Sequence, residues 1–301
     1  MVCHPFSVGA TGGTRVAARY ADRPWGSPGA RGTVPTRIGF RARLLGLFRA
    51  PGPWWVEVLL LAVMDQLYEL IRSLAPTRAG QAFANAHAVE RLEAALHLDV
   101  ERWLNHGLER LPAMIPPLSV YYQVGHLVAL LTTLAWAWRR RPGGYATART
   151  ALLALSLAAL AGYWFLPTAP PRFASAGAVD TIATHPVLLV GNTGVTGMVN
   201  LYAAMPSLHV AWAVWVALTI NHLSGGRWRR LAWAHPVVTV VGVLATANHY
   251  LADAAAGAAL TLAAWTLVHH LRPSGARPDT GARPDAGARP DHEVEVVVRS
   301  R

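Results

Sequence analysis

Long apolar runs decide what this chain can fold into. Six of them, at 54–71, 118–138, 150–166, 207–223, 231–247 and 250–271, approach the ~20 residues an α-helix needs to cross the hydrocarbon of a bilayer. Only 14% of the residues are charged against 53% hydrophobic. A chain that gathers its apolar residues this way predicts an all-α integral membrane bundle of six transmembrane helices, because a helix satisfies its own backbone polar groups where no water can. Between the first two runs, Val89, Leu92, Leu96, Val100, Trp103, Leu104, Leu108 and Leu111 recur at spacings of three and four, with Glu90, Glu93, Arg102 and Glu109 between them. That pattern predicts one amphipathic helix lying on the outer membrane surface.

The net charge of +11 follows topology and not a basic face, so a nucleic-acid partner is not expected. Arginines cluster before the first run, at Arg139, Arg140, Arg141 and Arg149, and at Arg227, Arg229 and Arg230; the alternate loops hold only Arg72, Arg78, Arg91, Arg102, Arg110 and Arg172. By the positive-inside rule the protein is expected in the cell membrane, multi-pass, with both termini cytoplasmic. Residues 1–50 are rich in Gly, Pro and Arg without periodicity and read as a disordered basic cytoplasmic arm, which no cleavable signal peptide interrupts. Residues 51–273 form the membrane domain. The tail, 274–301, repeats Gly-Ala-Arg-Pro-Asp and is too polar to pack a core. The lone Cys3 excludes an internal disulfide and a cysteine metal site. No cofactor motif is present, and nothing in the sequence sets an oligomeric state.

Polar groups inside apolar runs are costly and usually face an interior site. The topology brings three such segments to the extracytoplasmic end: Pro170-Pro171-Arg172 after the third run, Ala204-Met205-Pro206-Ser207-Leu208-His209 opening the fourth, and His249-Tyr250-Leu251-Ala252-Asp253 opening the sixth. A guanidinium offers phosphate a planar fork of donors, and two imidazoles can serve as nucleophile and general acid. His249 and Asp253, four apart, share a helix face, so the carboxylate can orient the ring. Pro206 suits a first helical turn, where backbone N–H groups and the Ser207 hydroxyl can hold phosphate oxygens. No Asp/Glu cluster suited to a hard cation is apparent, so no metal is expected. Asp65, Glu69 and Arg72 share a face of the first run, as snorkelling charges or as support for the site. Gln123 and His126 read as interhelical hydrogen-bonding residues.

At these motifs the sequence resembles the type-2 phosphatidic acid phosphatase superfamily, and more closely its inositol phosphorylceramide synthase-like branch. The resemblance spans about 54–271. It implies that His249 attacks phosphorus, His209 protonates the leaving group, Asp253 orients the nucleophile, and Arg172 with Ser207 binds phosphate. Phe165 and Val243 stand where the superfamily's usual pattern has Lys and Arg, and Asn248 replaces a His common beside the nucleophile in that branch. The implied activity is a metal-independent phosphatase or phosphotransferase acting on a lipid phosphate at the extracytoplasmic face, without a cofactor. Transfer to an alcohol would make it an inositolphosphotransferase; Asp180, His185, Asn192 and Asn200 could line the acceptor's pocket. A transporter or lipid-binding module is the non-enzyme alternative. A transporter predicts a polar path to the cytoplasmic side, whereas the inner halves of the last three runs are nearly all apolar.

Overall fold

The computed structural model describes residues 51–74, 78–181 and 202–271; the basic arm and the repeat tail lie outside the described residues. The described chain is mostly helical and without β-strands. Helix α1 covers Trp54–Leu74, α2 Ala79–Ala95 and α3 Val100–Glu109. A rod then runs from a 3-10 turn at Pro112–Met114 through α4, Ile115–Val120, and a π-helical turn, Tyr121–Gly125, into α5, His126–Arg140. Helix α6 spans Pro142–Phe165 and α7 Pro171–Ala174. The remainder is α8, Leu208–Leu223, α9, Trp228–Leu231, α10, Ala234–Ala245, and α11, Leu251–Leu271.

Each of the six apolar runs contains a helix, but among the described residues only Pro112–Arg140, Pro142–Phe165 and Leu251–Leu271 are long and apolar enough to cross a membrane; Leu208–Leu223 is apolar but shorter. Helix α1 carries Glu57, Asp65 and Glu69, and α10 has only 12 residues. Outward-facing Val128 and Leu131 on α5, Val237 and Val241 on α10, and Leu262 and Leu267 on α11 are the apolar surface such helices present to lipid. Asp65 is exposed.

The single amphipathic helix expected over 89–111 is two. Helix α2 ends in a left-handed residue, His97 at φ 55°, with Leu98 N–H bonded to Glu93 O at 2.8 Å and His97 N–H to Ala94 O at 3.1 Å. This paired closure satisfies the last carbonyls and turns the chain into α3. A helical period continuing across a break cannot reveal it.

In hydrocarbon, helices gain little from hiding apolar surface from each other, so association rests on close approach and interhelical hydrogen bonds. Helices α6, α8 and α11 pack through fully buried Ala148, Ala151, Ala159, Ala211 and Ala217. Trp215 Nε1 donates to Ala148 O at 2.8 Å, Trp212 Nε1 to Ser156 Oγ at 3.2 Å, and Thr261 Oγ1 to Ala211 O at 2.9 Å, each worth on the order of 0.6 kcal/mol. At Gly257 a Cβ would lie 2.3 Å from Ser207 O. Only glycine lets α11 come that close to the start of α8.

Away from the predicted site, Arg149 is not the loop cation its sequence position suggested. Helix α6 begins at Pro142, before Arg149, whose side chain is 0% exposed. It donates to Glu57 of α1 at 2.6 Å.

Candidate active site

Four connections gather the predicted motifs at one end of the bundle. Thr168 N–H bonds Tyr202 O at 2.8 Å and Ala204 N–H bonds Thr168 O at 3.2 Å, so the segment after α6 runs beside the segment entering α8. Ser207 N–H donates to the backbone carbonyl of Asp253 at 3.0 Å, joining the starts of α8 and α11. Arg172 N–H donates to Ala247 O at 2.9 Å.

Helix α10 delivers the last motif by a second left-handed stop. Ala247 sits at φ 53°, with its N–H on Leu244 O and Asn248 N–H on Val243 O, both at 3.0 Å. The same paired closure that ends α2 therefore sets Asn248 and His249 at the turn. Ala is unusual there, since a Cβ disfavours the left-handed region. Asp253 then stands in the first turn of α11, its Oδ2 accepting from Tyr250 N–H at 3.0 Å, the reciprocal half of a capping box. The carboxylate is fully buried, and Oδ2 also lies 3.4 Å from His249 Nδ1.

The nearer partner of His249 Nδ1 is Ala204 O, at 2.9 Å. A carbonyl oxygen can only accept, so this contact puts the proton on Nδ1 and leaves the lone pair on Nε2. Asp253 adds negative charge beside the same nitrogen. A neutral ring so oriented can attack an electrophile through Nε2 and have its developing positive charge offset.

His209, in the first turn of α8, has its ring centroid 5.7 Å from that of His249. Ser207 is the N-cap of α8, its Oγ accepting from Val210 N–H at 3.4 Å. Arg172 donates from Nη1 to Asn248 Oδ1 at 2.6 Å, and its Nε stands 3.9 Å from Asp180 Oδ2. Asn248 is held in turn by Thr246, its Nδ2 donating to Oγ1 at 2.7 Å. All five predicted residues are thus near one another. Asn248, read in sequence only as a departure from a pattern, is the residue that carries Arg172 to His249's side. His185, Asn192 and Asn200 lie outside the described residues.

Helix α2 braces this end from the side. Glu93 Oε1 accepts from Ala252 N–H at 2.6 Å, and Glu90 accepts from the Tyr250 and Ser175 hydroxyls. Burial pushes the Glu93 carboxyl up to about 8, and the neighbouring carboxyls of Glu101 and Asp253 add to the rise. The spacing of three between Glu90 and Glu93 was visible in sequence, but as a solvated face. A cavity of about 140 Å³ has Glu90, Arg102, Asn105, Pro171, Ser175 and Ala247 among its lining residues.

The class defined so far is a bundle of apolar helices, membrane-crossing by length, that gathers an arginine, two histidines and an aspartate at one end. The family model of the PAP2 superfamily matches residues 87–267, more than half of the chain and all of these residues, and the chain belongs to that superfamily. No curated protein and no solved structure matches it. Membership in the superfamily suggests a lipid phosphatase-type activity.

Proposed function

We propose that this protein is an integral membrane phosphatase or phosphotransferase that handles a lipid phosphate at the extracytoplasmic face through a phosphohistidine. The carrying observation is the proton-fixed ring of His249, Nδ1 on a carbonyl and Nε2 open, with His209 at 5.7 Å and Asn248-anchored Arg172 beside it. In the first step Nε2 of His249 bonds to phosphorus, the phosphorus–oxygen bond to the lipid alcohol breaks, and His209 gives that oxygen its proton. Arg172, the Ser207 hydroxyl hydrogen and amides at the start of α8 hold the phosphoryl oxygens. In the second step water attacks phosphorus, the nitrogen–phosphorus bond breaks, and the proton lost by water returns to His209. No metal is needed, since Arg172 supplies the positive charge.

Six crossings with cytoplasmic termini remain our reading of the topology. It is supported by Arg139 and Arg140 in the last turn of α5, Arg141 just after it, and Arg227, Arg229 and Arg230 at and within α9, a clustering the positive-inside rule places in the cytoplasm. A second reading, transfer to an alcohol as in the inositol phosphorylceramide synthase-like branch, draws on the cavity lined by Pro171 and Ser175, where Asn105 and Arg102 offer polar groups to an acceptor. The test is to trap the purified protein with a labelled lipid phosphate in chelator. Label stable to alkali and lost in acid, absent from His249→Ala, is expected; turnover by His249→Ala overturns the covalent route. Product partition at rising glycerol or inositol then separates the acceptors, because the positioned acceptor wins by several kcal/mol. An acceptor-linked product with negligible free phosphate makes the protein a transferase.

A further inference from the structure

His126 is a buried ionisable residue against the site that the mechanism above leaves unused. It lies in a span long and apolar enough to cross a membrane, is 6% exposed, and begins α5 directly after the π-helical turn. Such a residue at membrane depth is retained for a purpose, and π turns recur at functional sites. This turn sends its aromatic side chains in two directions. Tyr121 bonds α10, its hydroxyl 2.8 Å from His235 Nδ1 and 2.7 Å from Thr239 Oγ1. Tyr122 and His126 instead meet His209. The Tyr122 ring stacks on it at 4.4 Å and 19°, and the His126 ring lies 4.4 Å away, tilted by 59°.

Gly125 makes room for the turn, because a Cβ there would stand 2.7 Å from Tyr121 Cδ2. The His126 ring is steadied by Trp212, whose ring stacks on it at 6.0 Å and 17°. His126, His209 and His249 therefore form a row, with successive centroids 4.4 and 5.7 Å apart.

We propose that His126 is a positioning residue for His209, holding with Tyr122 the imidazole that protonates the leaving group. The inference rests on the phosphohistidine reading above. His126 touches neither His249 nor Arg172 in any described contact, so its effect passes through His209. It gains and loses no net proton in the cycle: the leaving alcohol takes its proton from His209, and water restores it.

Two substrates separate this role from mere packing. An alkyl phosphate ester needs its leaving oxygen protonated, whereas a nitrophenyl phosphate leaves without help. His126→Phe keeps the ring's shape and removes its nitrogens. It should lower kcat on the alkyl ester by about 10-fold or more, with KM little changed, and lower kcat on the nitrophenyl ester less than about 3-fold. In a His209→Ala background assayed on the nitrophenyl ester, His126→Phe should cost nothing further, since the residue it acts through is gone. His126→Gln provides a second variant if the Phe form does not fold. Equal losses on both esters, or losses that add to those of His209→Ala, overturn the proposal. Labelling of His249 tests the parent mechanism separately, because the phosphohistidine forms from the nitrophenyl ester with or without His126.

Discussion

The bundle buries charge at both of its ends, and the two burials are built differently. At one end Glu57 of α1 and Arg149 of α6 make a closed unit. The Glu57 oxygens take Arg149 Nη1, the Tyr145 hydroxyl at 2.9 Å and Gly52 N–H at 2.7 Å, and Trp138 Nε1 reaches Gly52 O at 3.1 Å. Both Glu57 oxygens are saturated, so the carboxylate has no lone pair left for a ligand. At the other end, among the described residues, the Arg172 side chain makes one hydrogen bond, to Asn248, stands 3.9 Å from Asp180 and remains 18% exposed, while the His249 ring bonds through Nδ1. A buried carboxylate with every lone pair answered ties helices together. Buried charge that is half answered is available for chemistry.

The sharpest way to break this contrast is to remove one member at each end. His249→Ala should abolish turnover, a loss of at least about 10⁴-fold, with little change in thermal stability; Asp253→Asn should stay folded and turn over slowly. Kinetics beside a melting curve in detergent would show it, and a stable His249→Ala protein with near-wild-type turnover contradicts the assignment of ends.

Arg149→Ala should do the opposite, costing about 3–5 kcal/mol of stability by leaving Glu57 buried without its cation. The double variant Glu57→Leu with Arg149→Met should recover most of it, since a buried pair replaced by apolar side chains of similar volume is often neutral. Should the double variant be as unstable as the single one, the unit is more than a helix tie.

The brace on the site end has its own pH signature. Glu93 is held protonated up to about 8 in the folded protein, so between the ordinary carboxyl range and that value the folded state binds more protons than the unfolded one. Its contribution to stability is full at low pH and is lost as pH rises toward 8. Glu93→Gln keeps an acceptor for Ala252 N–H and should flatten that slope. Melting curves from pH 5 to 8.5 that are identical for the two proteins would remove this role.

The smallest effect concerns strain. Ala247→Gly should stabilise the protein by about 0.5–1 kcal/mol, the left-handed penalty relieved less the backbone entropy of glycine. A loss of stability would show that the Ala247 methyl is needed for packing at the turn.

Much of the candidate site was legible because its motifs are local. Arg172, Ser207, His209, His249 and Asp253 each sit within a few residues of a helix end, and a helix end fixes which way a first-turn side chain points. Asn248 and His126 were not legible. The first gains meaning only from Arg172, 76 residues earlier, and the second from a π turn that helical periodicity does not encode. The break at His97 was hidden for the same reason, as was Arg149, whose burial depends on Glu57 in another helix.

By itself, then, the amino-acid order determined where apolar helices form, which short polar motifs interrupt them, and the family those motifs spell, because propensity, capping and hydropathy act over a few residues. Tertiary structure alone decided which carbonyl fixes the His249 tautomer, which side chain carries Arg172, and which ring lies against His209. Those are contacts between helices, and they depend on close approaches such as that of Gly257 to Ser207, which no single segment encodes.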